Sequence, residues 1–244
     1  KLTPLVIAGG GILISLFVGF MYNVLGWIII PCIAGISLRL YTGKTKLRLS
    51  LLFYVILGAI AVFFGSYILS LVVGEESGFN NEVLSFIVRN FIHYLTGGTL
   101  GFSVDMGHGC PDTGDFEMII AQIVNIGKVI TGDKELLVPL NSLYYHTGFN
   151  LTNVRTFFGT LFINTNYLTF IVYVLFLSSA IYILKLATIR FNNIYVFVIY
   201  FFELGLLFMG WFDFYFASLS VIEIPILTLV LLFIEWFIHP KKCL

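Results

Sequence analysis

Charge is scarce in this chain. Only 11% of its 244 residues are charged and the formal net charge is zero, where a soluble domain carries about 25% charged residues. That excludes an ordinary soluble domain, and no nucleic-acid partner is expected. Cysteine is scarce too: Cys32, Cys110 and Cys243 are far apart, so no disulfide framework is implied. There is no CxxC, no HExxH and no EF-hand loop, so neither a metal nor any other cofactor is expected. The chain begins at Lys1 with no charged n-region and cleavage site, so no signal peptide is visible. The expectation is that the front of a longer protein precedes it.

What the chain has is oil. Hydrophobic residues make up 59%, mean hydropathy is +1.00, and there are 26 Phe and 13 Tyr. A lipid-embedded helical protein is the class this composition describes, with the bilayer as its first partner. A spanning helix needs about 20 apolar residues. Residues 3–21, 24–38 and 49–73 supply three blocks, the first two as a hairpin or a re-entrant pair. Residues 166–184, 192–210 and 219–238 supply three more. The resulting division is 1–73 as three membrane helices, 74–155 as a water-facing loop, and 156–244 as three membrane helices with a tail.

Lysine and arginine set the orientation. The segments 39–48, 185–190 and 239–244 hold four, two and two of them, and are assigned to the cytoplasm. The loop 74–155 carries four basic against nine acidic residues, a formal charge of −5. It is expected on the periplasmic or outer side. Inside it, Val83, Phe86, Ile87, Phe91 and Tyr94 recur at helical spacing, which predicts an amphipathic helix over 83–95 lying on the membrane surface and ended by Thr96-Gly97-Gly98. A second helix is expected from an N-cap at Asp112 to about Ile130, with Gly132 as its stop. Residues 211–216, WFDFYF, read as an interfacial aromatic belt.

Arg89 and Arg155 are the arginines that lie outside the short basic loops. A guanidinium at a lipid interface suits a phosphate, because it is planar, always charged and donates in pairs. The plainer reading is snorkelling to headgroups or pairing with loop acids. Both are expected to converge on one outward-open cavity. His93, four residues after Arg89, and His146 are candidates for a phosphate donor or proton acceptor, or are structural histidines. Tyr94, beside His93, joins the substrate-binding set. Asp105, His108, Cys110, Asp112 and Asp115 match no metal pattern; Asp105 or Asp115 could instead serve as a general base. Glu203, Glu223 and Glu235 fall within or at the ends of apolar spans, where acids are functional by default. Asp213 lies at the outer belt and could face the same cavity as the loop.

The stretch Asn153-Val154-Arg155-Thr156-Phe157-Phe158, followed by a span starting near Asn166, resembles the Wzy-type polymerases of bacterial O-antigen and capsule repeat units. There an N-V-x-T-F-like stretch closes the large periplasmic loop. The order of loop, spans, aromatic turn and basic tail over residues 90–240 is similar. Where that family often has an Asp-Phe-Gly-like element, Asn166-Tyr167-Leu168 stands here. The resemblance implies an all-α polytopic membrane protein of the bacterial inner membrane. It would have about six transmembrane helices and a large helical extracytoplasmic loop, in a GT-C-like arrangement. It also implies a metal-independent glycosyltransferase acting on undecaprenyl-diphosphate-linked glycan, with a chain-length regulator as a protein partner. Asn153, Arg155 and Thr156 are the positions that carry over; Arg89, His93, His146 and Asp105 rest on their own chemistry. A flippase or transporter of lipid-linked oligosaccharide is the second reading, favoured by Glu203, and an O-antigen ligase the third.

Overall fold

The computed structural model describes residues 25–43, 46, 48–74, 80–108, 116–138, 140, 144–148 and 151–238. The first expected span, 3–21, lies outside them. The chain is mainly α-helical, and two compact units, Lys1–Ile92 and His93–Leu244, divide inside a helix.

The first unit contains α1 (Leu25–Tyr41), α2 (Leu49–Gly74) and the start of α3 (Asn81–His108). Asn80 caps α3, its side-chain oxygen accepting from the Val83 N–H at 2.8 Å. Aromatic rings join α2 to α3: Phe91 meets Phe63 edge-on at 5.2 Å and Phe64 at 5.6 Å. Phe63 and Ile87 are buried there.

The expected stop at Thr96-Gly97-Gly98 is not one. The helix runs through it to His108, 28 residues in all. Gly98 admits a neighbouring segment, and Gly97 makes room for the His93 ring one turn back on the same helix. A Cβ on Gly97 would stand 2.9 Å from the His93 ring, and one on Gly98 only 2.2 Å from the Phe212 carbonyl oxygen. A helix terminus and a tight helix contact both favour the residue without a Cβ, and the sequence cannot tell them apart.

In the second unit, α4 (Phe116–Ile119) and α5 (Ala121–Thr131) break at Ile120, where one continuous helix was expected. Gly132 ends α5 in the left-handed conformation, φ 78°, as its place in the sequence suggested. The expected cap Asp112 lies outside the described residues. A small hairpin of two-residue strands follows, β1 (Tyr145–His146) against β2 (Leu151–Thr152), antiparallel with Tyr145 opposite Thr152. Then come α6 (Phe157–Asn164), α7 (Tyr167–Phe191), α8 (Ile194–Phe208), two 3-10 turns (Met209–Trp211 and Tyr215–Ala217) and α9 (Ser220–Ile238).

Two corrections follow from this half. The basic segment 185–190 is no loop, because α7 carries it inside its last turns. The connection is Asn192-Asn193: Asn192 closes α7 at φ 46°, and the Asn193 side chain accepts from the Tyr195 N–H at 2.8 Å to open α8. Arg190, in the last turn of α7, complements the helix dipole there. The aromatic belt is mostly core as well. Phe212, Phe214 and Phe216 are buried, while Trp211 is exposed. Gly98 and Gly210 let this segment sink inward; a Cβ on Gly210 would lie 2.9 Å from that of Phe157.

Among the described residues, three helices are long and apolar enough to cross a membrane: Tyr167–Phe191, Ile194–Trp211 and Ser220–Ile238. Ile29–Tyr41 and Ile56–Ile68 are shorter apolar stretches.

Candidate functional site

The site is built along one stripe of α3 in the second unit. Because the helix passes the glycines, Tyr94, Gly98, Phe102 and Asp105 repeat at close to helical period and share a face. Eleven residues separate Tyr94 from Asp105, roughly 16 Å along the axis. The members of the stripe meet two parts of the C-terminal half, the segment 155–162 and the turn at 211–213.

At one end, Asp105 receives Arg155. The guanidinium Nε donates to Oδ2, and a second nitrogen donates to Oδ1 at 3.2 Å. This is the two-pronged geometry that makes arginine–carboxylate pairs strong. The side chains are 18% and 19% exposed, so the pair is largely shielded from water. Arg155 sits in the extended segment 153–156 between β2 and α6, where Asn153 is half-buried. Thr156 does two things. Its backbone N–H donates to the Gly98 carbonyl at 3.3 Å, fastening the segment to α3. Its hydroxyl oxygen accepts from the Gly159 N–H at 3.0 Å, capping α6. Gly159 in turn lies on the Phe102 ring, 2.9 Å from where its Cβ would be.

At the other end, Tyr94 stacks on Phe212, centroids 5.3 Å apart and planes 11° from parallel. Asp213 follows, buried, its Oδ1 accepting from the Phe214 N–H at 2.7 Å. Burial pushes the Tyr215 hydroxyl well above the usual tyrosine range, and Asp213 and Tyr94 add to the effect. Tyr94, Asp213 and Tyr215 are therefore one electrostatic neighbourhood.

The remaining candidates lie apart from this stripe. His93 rests on Gly97; its Nδ1 is buried and has no hydrogen-bond partner among the described residues. Burial lowers its pKa from the ordinary 6.5. His146 is exposed on β1, and its Nδ1 accepts from the Gly148 N–H at 2.9 Å, a bond within the hairpin. Arg89 is exposed on the part of α3 that belongs to the first unit, in a shallow depression with Asn81, Glu82, Ser85 and Phe86. The expected convergence of the two arginines involves residues of different units. Of the Asp105–Asp115 cluster, Cys110, Asp112 and Asp115 lie outside the described residues. No group of three or more His, Cys, Asp or Glu side chains comes together among the described residues.

Pairing with a loop acid was the plainer reading of the arginines, and Arg155 does pair with one; that the acid is Asp105 was not foreseen. The signal was available only once α3 was allowed past Gly98, which puts Asp105 in register with Tyr94. Glu203 is buried on α8, and Tyr173 of α7 lies within its electrostatic reach.

The profile of DUF6337, described as a family of unknown function, matches residues 7–238. The chain belongs to that family. No curated protein and no solved structure matches it. The matched span of this DUF6337 member takes in both ends of the α3 stripe, the Asp105–Arg155 pair and the Tyr94–Asp213 cluster.

Proposed function

We propose that this DUF6337 chain polymerises undecaprenyl-diphosphate-linked oligosaccharide repeat units into O-antigen or capsular polysaccharide at the outer face of a bacterial inner membrane. The observation that carries the reading is Arg155, fixed by Asp105 at the close of the long loop, shortly before the first of three membrane-length helices. In this reading about six helices span the bilayer in a GT-C-like arrangement, the loop is periplasmic, and a chain-length regulator is the protein partner.

The acceptor hydroxyl oxygen attacks the anomeric carbon of the donor glycan and forms the new glycosidic bond. The bond from that carbon to the diphosphate oxygen breaks, and the carrier diphosphate leaves with the electron pair. Its charge is met by the Arg155 guanidinium, a fixed cation worth most where water is scarce. The acceptor's proton goes to the Asp105 carboxylate, whose free lone pairs remain after it has received two N–H groups. Asn153 and Thr156 hold the segment that presents the arginine. Tyr94 and Asp213, at the other end of the α3 stripe, offer a stacking surface and an acceptor for sugar hydroxyls.

The experiment is glycan length in cells that depend on this chain. Arg155→Ala should leave protein in the membrane but yield single repeat units, while Arg155→Lys restores part of the ladder. Near-normal long glycan in Arg155→Ala overturns the mechanism. Full-length glycan accumulating on the carrier would indicate a ligase. A second reading, flippase or transporter of the same lipid-linked glycan, is favoured by Glu203 buried in a membrane-length helix. Repeat units retained on the cytoplasmic leaflet would select it.

A further inference from the structure

Helix α5 has more oil on its surface than a water-facing element can use. Ile123, Ile126, Val129 and Ile130 are exposed, Val129 at 63% and Ile130 at 80%. At 100° per residue the four fall within an arc of roughly 120° that contains no charge. Leu136 and Val138, just beyond the helix, are exposed too. Alongside this stripe runs a groove of about 450 Å³, walled by α5 on one side and by Ala217 and Leu219 on the other.

The groove is held open by polar bonds at its base. Gln122 Nε2 donates to the Phe216 carbonyl at 3.0 Å, tying α5 to the turn that leads into α9. Asn125 bonds Leu137 in both directions: its Nδ2 donates to the carbonyl at 3.1 Å, and its Oδ1 accepts from the N–H at 2.8 Å. Gln122 Oε1 is buried and has no partner among the described residues. The charges gather elsewhere: Lys128 donates to the Glu135 carbonyl at 2.6 Å and faces Asp133 at 3.8 Å.

What covers the stripe follows from where the groove leads. Its second wall, Ala217 and Leu219, immediately precedes the membrane-length helix Ser220–Ile238. The apolar stripe therefore runs up to the start of a helix long and apolar enough to cross a membrane. An amphipathic helix with an uncharged apolar face and its charges turned aside is the form that lies in a bilayer interface.

We propose that α5 lies in the bilayer interface beside the head of α9, with its groove occupied by an acyl chain of a membrane phospholipid. The 83–95 stretch of α3, which the sequence alone put on the membrane surface, is not needed for this. The proposal goes beyond the polymerase reading and stands or falls without it.

The test uses the full chain, reconstituted in phosphatidylcholine vesicles, with Cys32, Cys110 and Cys243 changed to serine. A fluorophore is placed by Ile130→Cys on the stripe or by Thr131→Cys on the neighbouring polar side, one per protein. Nitroxide-labelled phosphatidylcholine should quench the label at 130 about threefold more than the label at 131, with iodide showing the reverse order. Ile126→Cys gives a second stripe position should Ile130→Cys reconstitute poorly. Equal quenching at 130 and 131 overturns the proposal. So does protection of the label at 130 from both quenchers, which would mean that protein and not lipid covers the stripe.

Discussion

Two neighbouring helices of nearly the same oiliness have opposite fates. Tyr167–Phe191 has a hydropathy of 2.1 and none of its most apolar window is buried within the protein; Ile194–Trp211 has 1.9 and 44% of its window is buried. Hydropathy therefore separates membrane from water but not protein from lipid, because both sides of that second boundary are apolar. Nor does a count of small and polar residues separate them, since the exposed helix holds Thr169, Ser178, Ser179, Lys185, Thr188 and Arg190; what differs is which positions meet the rest of the protein. The buried helix carries Glu203, Gly205 and Gly210, and it leads into the segment that presses on Gly98. The lipid-like helix carries Phe176, Tyr182 and Ile183, all widely exposed.

The sharpest way to break this contrast is to fill a glycine contact. Gly98→Ala puts a carbon 2.2 Å from the Phe212 carbonyl oxygen, with the Trp211 carbonyl at 3.0 Å. Backbone cannot step aside as a flexible side chain can, so a loss of about 3 kcal/mol or more is expected. It should appear as a large fall in detergent melting temperature. Gly127→Ala, on a helix with open space around the new methyl, should be neutral or gain up to about 1 kcal/mol. Similar behaviour of the two would remove the glycine contacts from the account.

The next effect belongs to the ion pair. Arg155→Ala and Asp105→Ala should each destabilise, and a double-mutant cycle should return a coupling of about 1–2 kcal/mol for this shielded two-pronged pair. A coupling near zero would mean that the two side chains find equal partners elsewhere. Because elongation of glycan is expected to collapse in Arg155→Ala while the fold survives, the cycle also separates stability from activity.

The smallest effect is acidic. His93 has its pKa lowered by burial. The unfolded chain takes up a proton near pH 6.5 where the folded chain does not. Stability that is complete above that value is thus lost as pH falls toward the folded pKa. Melting followed from about pH 7 to about pH 5 should show a steeper decline in the parent than in His93→Phe. Parallel curves would show that the imidazole is already solvated.

How much could be read beforehand follows the same line. Two of the three C-terminal membrane-length helices were legible to within two residues from their apolar runs; the first continues from its expected end at 184 to Phe191, because Lys185 and Arg190 were read as leaving the helix. Gly132 was legible as a stop because an apolar face ends just before it. Gly97 and Gly98 were not, since a glycine pair after an amphipathic run serves equally to end a helix or to admit a neighbour. That single ambiguity shortened α3 by more than three turns and hid the alignment of Tyr94 with Asp105. The aromatic run 211–216 misled for a related reason. Tyr, Trp and Phe suit both a membrane interface and a tightly packed core, and only the glycines opposite them decide. Arg155 was found from chemistry, but its partner, fifty residues earlier, needed the fold.

The most direct measurement of the central contrast is photo-cross-linking of the intact chain by a lipid carrying a photoactivatable acyl group, with labelled positions read by mass spectrometry. The account predicts adducts along Tyr167–Phe191, at Val172, Leu175 and Phe176, and none at Phe201, Phe202 or Leu206. Equal labelling of the two helices would contradict it.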